Sequence, residues 1–358
     1  MMTHKLLALS CLLVISAVST AQRATTPQAL PDPMNLSQAE SIAVAHQPRL
    51  LAAQLRARAS AQRIRETRSG LQPFIAFNAT GALVADTGSS TAAGNITTSA
   101  VSDRFAYGGT LSQLVTDFGR TSALVHSSRY QADAQNDMAT LTRAQVRLNV
   151  QEAYYSVLGA EAVLRAAKAA QDNRQLVLRQ LKALAQSELR STLDVNFANV
   201  LESEAELAVV RAQSTVSQER SRLATAMGEP QTIRTGLVSP STPDALPGAP
   251  EDLLQQAITQ RADLNAAKAE EDAALQFAHA EKKLSYPTLN VLGAAGQVPY
   301  HDHTLHDNYA AAGFNLNIPV FNGGLFAARR AEADLEANAR ARDTEAIRLQ
   351  VNEQVRNA

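Results

Sequence analysis

The sequence predicts an α+β membrane protein in which one helix–strand–strand–helix unit is built twice. Three observations predict it. "HQPRLLAAQLRARASAQ" (46–62) lies over "QRADLNAAKAEEDAALQ" (260–276) at an offset of 214, and Pro73 falls on Pro287 at that same offset. Each copy then runs through two alternating segments into a glycine joint, at 115–120 and 320–325, related by an offset of 205. From Arg120 to Glu229 there is no proline, and Gly159 and Gly228 are the only glycines, which is the composition of long helices.

The 358-residue chain has a formal charge of -1, which offers no general attraction for nucleic acid or anionic lipid. Its N-terminus reads as a signal peptide over 1–21. Lys5 supplies positive charge, Leu6 to Val18 form a short apolar stretch, and Ser19-Thr20-Ala21 is a small-residue cleavage site. A lipoprotein signal ending at Cys11 is the rival, with only Leu6 to Ser10 before it. Cleavage after Ala21 removes the single cysteine, and with it any disulfide or thiol chemistry. No later segment has 18 uninterrupted apolar residues, so no transmembrane helix is expected.

The first unit spans 36–229. Leu36 to Gly70 is expected as a helix that stops before Pro73, because proline disfavours helical backbone in the residue before it. Strands follow at about 73–86 and 104–117, and Gly119 lets the backbone turn sharply from strand into helix. One helix then runs from about Gly119 to Gln186, spanning roughly 100 Å at 1.5 Å per residue. On it, Val146, Val150, Ala153, Val157, Ala160, Leu164 and Ala167 alternate spacings of four and three, a coiled-coil seam. Leu141, Leu148, Tyr155, Ala162 and Ala169 form a second line. Two lines fit a helix in a wall with neighbours on both sides, whereas a dimeric rod needs one.

"SELRST" (187–192) is expected as a turn, and Leu193 to Met227 as the returning helix. The segment 230–250 is rich in proline and reads as a surface linker. The second unit spans 251–358, with a helix at Asp252 to Leu284, strands at about 287–299 and 308–321, the joint Gly323-Gly324 and a final helix.

The strand segments look membrane-embedded. In "FNLNIPV", Phe314, Leu316 and Ile318 alternate with Asn315 and Asn317. Phe74, Phe77, Phe105, Tyr107, Phe118, Tyr286, Tyr300, Tyr309, Phe314 and Phe321 crowd these strands and their flanks, most near strand ends, where membrane-barrel girdles sit. Four strands cannot close a barrel alone, so several chains must contribute. A soluble β-layer is the alternative.

Candidate chemistry is sparse. Asp117-Phe118-Gly119 matches the magnesium-holding triplet of protein kinases, but no accompanying Gly-rich or His-Arg-Asp loop exists. Its recurrence at Asn322-Gly323-Gly324 makes it a structural joint. In "HDHTLHDNY" (301–309), His301, His303 and His306 are candidate zinc or copper ligands, with a solvated polar loop as the alternative. No catalytic set and no cofactor site is expected.

Taken in order, these stretches resemble the TolC-type outer-membrane efflux proteins. The resemblance is carried by "LSQAESIAVAHQPRLLAA" and "LLQQAITQRADLNAA", by "LQPFIAFNATGAL" and "SYPTLNVLGAAG", by "LVTDFGRTSAL" and "PVFNGGLFAARR", and by "SELRSTLDVNFANVLESEAEL" with "LATAMGEP". It implies a homotrimer in the outer-membrane lipid, four strands per protomer making a 12-stranded β-barrel, and a hollow periplasmic α-barrel of long helices. It implies passive outward conduction, no catalysis and no cofactor, with a periplasmic adaptor protein and, through it, an inner-membrane pump as partners. The adaptor-contacting tip falls on Ser187, Glu188, Leu189, Arg190, Ser191, Thr192 and Leu193. Pro73 and Pro287 fall at helix-to-strand joints, and Gly119, Gly323 and Gly324 at strand-to-helix joints.

One departure bears on function. "RLQVNEQVRNA" at the end of the chain matches "RLNVQEAYYSV" (147–157), in the middle of the first long helix. The second unit is then about 75 residues shorter than the first implies, and its helical half is expected to be incomplete. A non-functional remnant, or an elongated coiled-coil envelope protein without a pore, are the alternatives to a conducting channel.

Overall fold

The structure, a computed structural model, describes residues 30–82, 104–240, 250–300 and 307–357. In chain order the elements are α1 (Leu36–His46), α2 (Pro48–Ser69), β1 (Phe74–Ala82), β2 (Arg104–Thr116), α3 (Arg120–Gln186), α4 (Thr192–Met227), α5 (Pro250–Gln260), α6 (Ala262–Lys282), β3 (Thr288–Tyr300), β4 (Asn308–Asn317) and α7 (Leu325–Asn357). The signal segment lies outside the described residues.

The helix expected over 36–70 is in fact two. The first opens with a reciprocal cap: the Gln38 N–H donates to Asn35 Oδ1 and the Asn35 N–H to Gln38 Oε1, at 2.8 and 2.9 Å. It stops at Gln47, held extended at ψ 114, because Pro48 follows and serves as the first residue of α2. The second unit repeats this break. Arg261 is extended between α5 and α6, at the position that the 214 offset carries Gln47 to. No proline is present there. Asp263 instead holds the Arg261 guanidinium at 2.6 Å and accepts the Leu264 N–H. Burial opposes charge on Asp263, but these hydrogen bonds outweigh it and hold its carboxyl below the ordinary range.

The four strands form one antiparallel sheet in the order β1-β2-β3-β4. β4 ends at Asn317 rather than at residue 321, since Pro319 has no N–H to give a ladder. All four helix connections leave one end of this sheet. α2, α3, α6 and α7 pack side by side in the same order as the strands they adjoin. The two units therefore meet twice, at β2–β3 and at α3–α6.

Beyond that row, α3 and α4 continue as a hairpin. α3 has the 67 residues expected, about 100 Å of helix. Its seam residues Val146, Val150, Ala153, Val157 and Ala160 are buried, and the first four form a core with Met34, Leu50, Leu223, Met227 and Ile233. On the second line, Leu148 and Tyr155 stay about half exposed within one chain.

The expected surface linker is pinned to this core over its first part. Ile233 is buried, the Met34 N–H donates to the Gly236 carbonyl, and the Val238 N–H returns to the Met34 carbonyl. The Tyr154 hydroxyl sits between the Val238 and Met34 carbonyls at 2.6 and 2.9 Å. Proline content marks the loop but not the isoleucine that anchors it. Gly228 ends α4 with φ 77, and a side chain there would press on the backbone of His46 and Gln47.

Candidate functional site

The site begins at the joints. Phe118 and Gly119 both have positive φ, 55 and 83, and so do their counterparts Gly323 and Gly324, 63 and 86. The joint is thus a pair of left-handed residues that redirects a strand into a helix. Asp117 closes it. Its Oδ1 accepts the Gly119 N–H at 3.0 Å, and its Oδ2 accepts the Thr121 N–H and hydroxyl at 2.7 and 2.5 Å. Asn322 stands at the same place before α7 and accepts the Phe326 N–H at 3.5 Å. The Asp-Phe-Gly triplet is therefore a helix cap.

Burial disfavours charge on Asp117, yet the hydrogen bonds from Thr121, Gly119 and Arg120 prevail and hold its carboxyl below 3.8. A depressed carboxyl stabilises the fold above its unfolded value, and that contribution is lost as pH falls through the folded one. Asp117→Ala is expected to cost about 1–2 kcal/mol at neutral pH, with the gap to the parent closing as urea titrations move below pH 3.8.

Around this joint the two units are fastened together. Phe118 stacks edge-on to Tyr286 with centroids 5.8 Å apart, and the Lys283 ammonium donates to the Gly119 carbonyl at 3.3 Å. Glu281, 1% exposed, faces Arg120 of α3 at 3.6 Å and Arg329 of α7 at 2.9 Å. The Arg329 Nη2 also donates to Glu281 Oε1 at 3.2 Å, while its Nε contact with Oε2 has ion-pair distance without hydrogen-bond geometry. Sequence reasoning missed all of these partners. Their signal in the chain is only a glutamate in an otherwise alanine-lined stretch of α6.

The strand register sorts the sheet into two faces. Ile75, Phe77, Leu111, Val291, Phe314 and Leu316 share one face through the pairs Ile75–Leu111, Leu111–Gly293, Val291–Phe314 and Leu289–Leu316. Asn78, Thr80, Thr110, Ser112, Asn290, Asn315 and Asn317 share the other, where Phe74, Leu114 and Leu292 are its large apolar members. This is the apolar-out, polar-in dyad of a membrane β-sheet. Phe314 is 75% exposed and Phe321 89%, so neither the apolar face nor the region beyond β4 is covered within one chain. The outer edges of β1 and β4 have no strand partner among the described residues.

On the polar face, Gly108 pairs with Gly296, and the Tyr309 ring crosses both. A side chain on Gly296 would collide with the Tyr107 carbonyl and come 2.7 Å from the Gly108 Cα. Gly296→Val is expected to cost about 2–3 kcal/mol by parting the central strands. Gly109→Val, where the space is open, should shift a urea midpoint little.

Below the sheet, the outer helices α2 and α7 line one 870 Å³ groove together with α3 and α6. The row of helices is therefore curved, with a concave face. Arg56 and Arg63 of α2, Gln131 and Gln135 of α3, Glu270 of α6 and Arg340 of α7 point into it. At the far end of the long helices, residues 187–193 form a compact turn. Glu188 has φ 60, the Leu189 N–H returns to the Leu184 carbonyl at 2.9 Å, and Ser191 caps α4 by accepting the Leu193 N–H. Arg190 lies 3.7 Å from Asp194, and Leu189 and Leu193 are exposed.

Pro73 and Pro287 immediately precede β1 and β3. His301, His303 and His306 lie outside the described residues. Among the described residues, no three His, Cys, Asp or Glu side chains gather as a metal site, and no helix is long and apolar enough to cross a membrane.

An amphipathic antiparallel sheet set on a curved row of helices, with a long helical hairpin beyond, defines an outer-membrane channel fold. The profile of the Outer membrane efflux protein family matches residues 40–229 and 253–358, and the chain belongs to that family of transport channels. No curated protein sequence matches it. Among solved structures, the outer-membrane channel OprN is similar with a TM-score of 0.75 at 19% identity, over 92% of this chain and 76% of that one. CusC, described as forming a transmembrane channel, has a TM-score of 0.73 at 17% identity over 93% and 76%. The Campylobacter jejuni CmeC outer membrane channel has 0.73 at 16% over 88% and 68%. The resemblance to TolC-type proteins is thereby borne out, as is the protomer fold of a four-stranded antiparallel sheet with long helices.

Proposed function

We propose that the chain is one protomer of a trimeric outer-membrane export conduit. Three copies supply a 12-stranded barrel in the outer-membrane lipid, and their helices continue it as a tube in the periplasm. The observation that carries this reading is the sheet itself. It has one apolar and one polar face, exposed aromatics and two unpaired edges, and hydrocarbon tolerates such edges only when another chain closes them. The polar face then lines a water-filled bore, and the concave face of the helix row continues it. Conduction is passive, with no covalent step.

In this reading the turn at 187–193 is the surface that meets a periplasmic adaptor, and an inner-membrane pump acts through that adaptor. The exposed leucines and the Arg190–Asp194 pair suit a partner of mixed apolar and charged character. The test is purification of the full chain in mild detergent, followed by light scattering and planar-bilayer recording. A threefold mass with step conductance is expected. A trimer that never conducts would favour an elongated envelope rod, and a monomer would sink the assembly.

A further inference from the structure

We infer that α7 of one copy packs on α2 of the next with Glu332 lying between Arg56 and Arg63, and that β4 pairs with β1 of that copy with Asn317 opposite Asn78. This rests on the ring assembly proposed above and specifies its junction. The source is the duplication within the chain, applied to the one junction of this kind that a single chain contains.

Inside the chain, the exit helix of the first unit, α3, packs on the lead-in helix of the second, α6. There the Ser127 hydroxyl donates to the Ala273 carbonyl at 2.8 Å, and both residues are 3% exposed. The offsets of 205 and 214 carry Ser127 to Glu332 on α7 and Ala273 to Ala59 on α2. Both counterparts are exposed. So are Ala328 and Ala339, the counterparts of the buried Ala123 and Ala134. These four counterparts are bare at the two flanks of the chain, which is where a second copy would repeat the internal junction.

The chemistry differs in one respect. A carboxylate cannot donate to the Ala59 carbonyl as the serine hydroxyl does to Ala273. It needs a cation, and Arg56 and Arg63 stand one helical turn to either side of Ala59. Among the described residues, Glu332, Arg56 and Arg63 form no ion pair, whereas their groove neighbours Arg329 and Arg340 are paired at 2.9 and 3.0 Å.

The strands provide a separate check. The internal pair Ser112–Leu292 maps to Asn317–Asn78, and Leu111–Gly293 maps to Leu316–Ala79. This register sets polar face beside polar face and apolar beside apolar. An offset wrong by one would have crossed them. The offsets come from helix and joint sequences and the faces from strand pairing, so the agreement is independent.

The experiment uses the full chain in detergent. Asn78→Cys with Asn317→Cys is expected to give disulfide-linked dimers and trimers on a non-reducing gel, because opposite residues meet disulfide geometry. Asn78→Cys with Asn315→Cys should give none. Glu332→Arg is expected to weaken assembly about tenfold, as does Arg56→Glu with Arg63→Glu, and the combined triple variant should recover it. A parent chain that is monomeric overturns the ring reading and this junction with it. A trimeric parent that cross-links through Asn315, or whose assembly ignores the charge reversals, overturns the junction alone.

Discussion

Replacing Glu281 with leucine is expected to lower stability by about 2–4 kcal/mol, one of the larger losses available outside the sheet. The carboxylate is buried while Arg120 and Arg329 reach solvent, at 30% and 42% side-chain exposure. That exposure places the loss below the range for a fully buried pair. The substitution leaves two guanidiniums converging on an apolar side chain, at the point where α3, α6 and α7 come together. Urea unfolding in detergent measures it. Adding Arg120→Met and Arg329→Met should return most of the loss, because an apolar cluster of similar volume replaces the triad. If Glu281→Leu alone moves the midpoint negligibly, the triad does not fasten the units.

The second large effect separates the faces of the sheet. Leu111 and Thr110 are adjacent at the middle of β2 but belong to opposite faces. Leu111→Arg is expected to cost about 2–4 kcal/mol, the penalty for arginine on a lipid-facing position near the bilayer midplane. Thr110→Arg gives up the hydrogen bond from Asn78 at 3.1 Å and should cost less than about 1 kcal/mol, since its side chain enters water. Bilayer recordings should show the second variant shifted toward anion selectivity. Equal damage from both substitutions would mean that the sheet is not embedded as proposed.

Much of this architecture is legible in the order of the amino acids. The 67-residue helix is bounded at Gly119 and Gln186 because nothing between them interrupts helical backbone. The joints are visible because left-handed backbone favours glycine, which stands at Gly119 and again at Gly323-Gly324 in the same strand-to-helix context. Asparagine and aromatic alternation announces the two faces of β4. The break at Gln47–Pro48 is not captured by the single helix expected over 36–70, although Pro48 signals it plainly. Its counterpart at Arg261 carries no proline at all.

By itself, then, the sequence determined what depends on neighbours a few positions apart: helix extent, strand alternation, the left-handed joints and the duplication. The tertiary structure decided which distant atoms meet. Residues 233–238 lie on Tyr154 and Met34, a contact that proline content concealed because one buried isoleucine outweighs a loop's composition. Glu281 is a junction between three helices, and the groove is concave because α2 and α7 lie toward the same side of α3 and α6. Helical and strand periodicities record which face of an element is apolar. They do not record which element covers that face, because burial is set by packing across the whole chain.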